Sequence, residues 1–151
     1  MDSLSDLREN VGRILYKHLG DSVSTLGNGD FVVNHQSTKV HVRCLEQGAD
    51  HHHRTLVRLI SPVLRDVQPS PELFEFIAYE GVAYVFGALS LHAPGAEAGT
   101  DELVTITMHH TLLGNFLDED ELIQALVTIS LTADFLDDEL RQRFGGNRAV
   151  D

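Results

Sequence analysis

Three consecutive histidines, His51-His52-His53, carry the most obvious chemistry in this chain, and His18, His35, His41, His92, His109 and His110 add to them. Imidazole is a common zinc ligand, so a metal site is the first possibility. The spacing argues against it. Three adjacent side chains on an ordinary backbone do not converge on one ion, and no His-x-x-x-His pair falls on a helical stretch. A polar loop is the plainer reading of residues 51–53, and we expect no cofactor and no metal. Cys44 is the only thiol. It alternates in phase with Val40 and Val42, which places it among core residues, where a free cysteine acts as a small hydrophobe rather than a nucleophile. Gly27-Asn28-Gly29 precedes a strand pattern and offers no helix N-terminus to a phosphate, so it reads as a turn. No Gly-x-Ser-x-Gly is present, and the abundant carboxylates lie in runs on a helical surface. The expectation is a protein that is not an enzyme; the alternatives are a small metal-binding or enzymatic domain using His51–His53, or a structural subunit of a larger assembly.

Any such group must be held by a core, and 151 residues suffice for one. The whole of 1–146 reads as a single domain, with 147–151 a short polar tail. Eleven Lys and Arg against twenty-three Asp and Glu give a net charge of −12, which disfavours partners met through phosphates or anionic lipid. No nucleic acid and no membrane partner is therefore expected. A single cysteine and the lack of a long apolar run suggest a cytoplasmic protein.

Apolar residues at Leu4, Leu7, Val11, Ile14 and Leu15 recur at helical spacing behind Ser3 and stop at Gly20. After Gly27–Asp30 the period becomes two: Phe31 and Val33, a turn over 34–38, then Val40, Val42 and Cys44 opposite Lys39, His41 and Arg43. A third strand spans Thr55 to Val63 with less clear sidedness. Ser70-Pro71 opens a helix that runs to Gly81. Val82 to His92 reads as a strand, and Val104, Ile106 and Met108 as its hairpin partner. Asp118 and Glu121 cap a long final helix ending at Gly145-Gly146. The order helix-βββ-helix-ββ-helix implies an α+β fold, an antiparallel five-stranded sheet with helices over one face.

This order resembles the type III secretion chaperone-like fold and its YbjN-like relatives. The resemblance rests on the hairpin Phe31 to Leu45, the Ser70-Pro71-Glu72-Leu73-Phe74 helix opening, a Tyr84-Val85-Phe86-Gly87 strand, and the Asp118-Glu119-Asp120-Glu121-Leu122 helix start. It implies a small, acidic, non-enzymatic protein, often dimeric, that holds a peptide segment of a partner protein.

Two helices carry more apolar surface than one core stripe needs. In the second, Leu73, Phe74 and Ile77 complete a stripe, leaving Phe76 and Tyr79 among Glu72, Glu75 and Glu80 as a candidate interface of a homodimer. In the third, Val127, Leu131 and Phe135 recur every four residues behind the core stripe. Between Glu97 and Glu139 eleven residues are acidic and none is Lys or Arg. Val127, Leu131 and Phe135, with Asp137 and Asp138, form a candidate partner-binding surface that would attract a basic segment. The Lys39, His41 and Arg43 face of the sheet is the reserve site.

Overall fold

The computed structural model describes residues 3–48, 54–93 and 102–149. His51–His53 and the acidic residues Glu97 and Asp101 lie outside them. Helix α1 (Leu4–Leu19) is capped by Ser3, whose Oγ accepts a hydrogen bond from Asp6 N, and it buries Leu7, Val11, Ile14 and Leu15. A 3-10 turn leads to strands β1 (Val23–Thr25) and β2 (Phe31–His35), then β3 (Thr38–Gln47) and β4 (Arg54–Val67). Helix α2 (Pro71–Glu80) is followed by β5 (Ala88–His92), β6 (Val104–Leu113), helix α3 (Glu119–Phe144) and β7 (Asn147–Arg148). The caps of α2 and α3 form as the sequence predicts: Ser70 Oγ accepts from Leu73 N at 3.1 Å, and Asp118 Oδ1 from Glu121 N at 3.0 Å.

Among the described residues the sheet has seven antiparallel strands rather than five, in the order β1-β2-β3-β4-β6-β5, with β7 added beside β4. The α+β class is as expected; β1 and β7 are too short to leave a periodic signal. β7 has a physical reason to exist. Leu64 pairs with Ile106 of β6 on one side, and on the other the pairing with β3 ends, among the described residues, at Ile60. Arg148 fills that gap by pairing with Leu64. Gly146 permits the approach: its φ is +86°, and a Cβ there would stand 2.7 Å from the Arg65 carbonyl oxygen. Residues 147 and 148, expected as part of a polar tail, are thus part of the sheet.

A second difference concerns the stretch before β5. The strand expected over Val82 to His92 begins only at Ala88, and Tyr84-Val85-Phe86-Gly87 is irregular. Gly87 has φ +93°, and a Cβ would meet the His109 carbonyl oxygen at 2.8 Å, so the chain turns onto β6 there and pairs afterwards. Tyr84 and Phe86 still pack on the core while Val82 and Val85 are exposed.

Helices α1 and α3 contact one another, and both pack on β3; α3 also covers β4 and β6. The core between them takes alternate residues: Val40, Val42 and Cys44 from β3, Val57 and Leu59 from β4, Ile106 and Met108 from β6. Leu122, Leu126 and Ile129 of α3 close it. Cys44 is buried, and desolvation, aided by Asp30, pushes its thiol up to about 12. Because strand side chains alternate, the chain neighbours of these core residues stand on the opposite face of the sheet, which none of the described helices covers.

Candidate functional site: the open face of the sheet

Strand register fixes what this face presents. Arg43 lies opposite Arg58, and Arg58 opposite Thr111; His41 lies opposite Ile60, and Ile60 opposite His109, which pairs with Ala88. Leu45, Leu56 and Leu113 make the next row, and Pro62, Thr107 and Ser90 another. Lys39 and Arg54 extend the face by alternation along β3 and β4. None of these outward positions holds Asp or Glu, in a chain with twenty-three of them.

The face is hollow. Arg43, Arg58, Ile60, Pro62, Leu91, His92, Thr107 and His109 are among the residues lining a depression of about 640 Å³. Two register shifts in β4, after Pro62 and after Leu64, and a left-handed Asp66 with φ +58°, distort the strand at one end of the depression. The result is an apolar floor with cations beside it. Burial lowers the pKa of His41, helped by Lys39, and that of His109, helped by Arg58 and His110. Both imidazoles are therefore neutral at neutral pH and extend the floor rather than its charge.

The guanidinium groups are less evenly served. Asp30, buried at the edge of the sheet, accepts hydrogen bonds from Cys44 N and Asn28 Nδ2, and stands 3.9 Å from Arg8 Nε and 4.0 Å from Arg43 Nε. One carboxylate is thus shared between two arginines. Arg58 has only Thr111 Oγ1, at 3.5 Å, and no carboxylate among the described residues.

The helical surfaces chosen from periodicity fare differently. Phe76 is not on the wet side of α2: it is 7% exposed, 5.4 Å from Phe144, with the Arg143 guanidinium 4.9 Å over its ring. Phe74, expected in the core, is half exposed, so the two rings exchange roles. Tyr79 is 77% exposed beside Glu75, Glu80 and Arg143. Leu131 and Phe135 stand free on α3, at 49% and 73%, with Val127 half-buried. Asp137 is instead buried, 3.9 Å from Arg148 Nε, and desolvation raises its pKa. Asp138 binds Arg148 and, at 3.0 Å, Arg141. These two carboxylates tie β7 to α3 and are already engaged. At the other end of the helix Glu119 holds Lys17 at 2.9 Å and His18 at 2.6 Å, which draws its carboxyl down to about 2.

The sequence reading missed Arg58, Ile60, Pro62, Thr107 and His109. The signal for them was available in the outward phase of three strands, which in the fourth strand carries no carboxylate from Arg54 to Pro62.

Among the described residues no cluster of His, Cys, Asp and Glu is arranged to hold a metal, and no helix is long and apolar enough to cross a membrane. A family model matches residues 5–151, almost the entire chain: T3SS (YopN, CesT) and YbjN peptide-binding chaperone 1. The chain belongs to the TY-Chap1 family. The resemblance read from Phe31–Leu45 and the caps of the second and third helices is therefore real, although the 84–87 segment quoted for it is not a strand. Comparison with the curated proteins finds none that matches. Membership supports a peptide-binding, chaperone-like role, and a peptide or protein as the partner class.

Proposed function

We propose that this TY-Chap1 domain is a non-enzymatic peptide holder and that the segment it holds lies on the open face of the sheet. The observation that carries the reading is the depression itself: apolar Ile60 and Pro62 of β4 lie half-buried beside Thr107 and Thr111 of β6, lining a hollow of about 640 Å³. A solvated sheet face needs no such hollow, whereas a bound segment would remove its apolar surface from water.

The test is a random peptide display library panned on the wild-type protein and on two variants. Ile60→Asp puts a charge on the floor and should reduce retention of the selected peptides at least about tenfold. Leu131→Asp, on α3, should leave it unchanged. Equal retention by wild type and Ile60→Asp would move the site off the sheet.

Exposed Leu131 and Phe135, one turn apart on α3, favour a second element of the reading, self-association as a homodimer. Light scattering should give a dimer mass for wild type and a monomer mass for Phe135→Asp; a wild-type monomer at tens of micromolar contradicts it.

A further inference from the structure

The charge arrangement on the open face says which segments fit. We infer that the occupant is an acidic peptide segment, whose carboxylates are paired by Arg58 and Arg43 while its apolar side chains sit on the Ile60 floor. This rests on the peptide-holding reading and gives it a chemical class. It also runs opposite to the expectation from net charge, which would recruit a basic segment to α3.

Three observations carry it. Arg43 and Arg58 are directly opposite one another on adjacent strands, a placement that like charges make unfavourable. Among the described residues their local countercharge is short by more than one unit: Asp30 serves Arg8 as well as Arg43, and Arg58 has one long contact, to a threonine hydroxyl. Finally, a chain that carries about twice as many acidic as basic residues places no carboxylate in the paired outward rows from Lys39 to Leu45, Arg54 to Pro62 and Thr107 to Leu113; Asp66, at the bulged end of β4, accepts a hydrogen bond from Asn147. A carboxylate arriving between the two guanidinium groups would relieve their repulsion and make charge-assisted, fork-like hydrogen bonds.

The occupant is a short acidic segment rather than nucleic acid. At physiological salt, charges more than about 8 Å apart are largely screened, so a peptide confined to the hollow feels mainly the local cations. A nucleic acid strand extends beyond them and meets the carboxylates of a molecule of net charge −12.

The experiment compares peptide pools selected from a random library about twelve residues long, enough to span roughly 40 Å when extended. The wild-type pool should be enriched in Asp and Glu interleaved with apolar residues. The Arg58→Gln pool should keep the apolar enrichment and lose the acidic one, and Arg58→Lys should restore part of it. A labelled wild-type-selected peptide should lose at least about tenfold in affinity when its acids become amides, and the loss should shrink at high salt. A neutral or basic wild-type pool, or an Arg58→Gln pool with unchanged acid content, overturns the acidic assignment while leaving peptide holding intact. Failure to enrich any pool overturns peptide holding itself, and the acidic assignment with it. Tighter binding of a single-stranded oligonucleotide than of the selected peptide, or displacement of the peptide by a second copy of the chain as concentration rises, also overturns it.

Discussion

At the scale of single residues, environment decides which of the chemically able groups are inert. Cys44 is buried and its thiol is pushed up to about 12, so at pH 8 almost none of it is thiolate. Iodoacetamide should label the native protein at least about a hundredfold more slowly than the urea-unfolded protein; comparable rates would put Cys44 outside the core. Glu119 is the opposite case, a half-buried carboxylate drawn down to about 2 by its hydrogen bonds to Lys17 and His18. Its folded-state pKa lies below the ordinary value of 4.5, so its contribution to stability is complete above that value and is lost as pH falls toward 2. Urea midpoints should be higher for wild type than for Glu119→Gln at pH 6, with the gap closing toward pH 2. A gap that does not change with pH would contradict the pairing. Cys44 was legible from its phase with Val40 and Val42. Glu119's partners were not, because Lys17 and His18 lie about a hundred positions away and only the packing of α1 beside α3 brings them near.

At the scale of elements, caps and long alternating runs were readable and the ambiguous short helix was not. In α2 the sets Leu73, Phe74, Ile77 and Leu73, Phe76, Ile77 both make an acceptable apolar stripe over ten residues. The choice belongs to α3, whose Phe144 and Arg143 close over Phe76. Phe76→Ala should therefore cost about 3 to 4 kcal/mol in denaturant unfolding, whereas Phe74→Ala should cost less than about 1 kcal/mol. Similar losses at both positions would contradict the burial of α2. The ends of the sheet were hidden for a related reason. β7 exists because β4 runs past the end of its pairing with β3, and β5 starts late because Gly87 must turn against β6; neither condition is written within the segment concerned. The third strand's unclear sidedness has the same kind of cause. Its inward Val57 and Leu59 serve the core, its outward Ile60 and Pro62 line the hollow, and Leu56 stands outward in the row with Leu45 and Leu113, so both faces read as apolar.

At the scale of the whole molecule, charge is partitioned: α3 carries acidic runs, and the uncovered sheet face carries Lys39, Arg43, Arg54 and Arg58 with no acidic neighbour in its outward rows. The net charge of −12 was visible at once, but it concealed a local excess of the other sign that only strand register reveals. The central claim, that this face receives the peptide, is tested most directly by methyl NMR of the labelled protein titrated with a library-selected peptide. The largest shifts should fall on Ile60, Leu45 and Leu56, with Val127 and Leu131 of α3 unmoved. Shifts concentrated on Val127 and Leu131, with Ile60 silent, would contradict the account and return the binding surface to the helix.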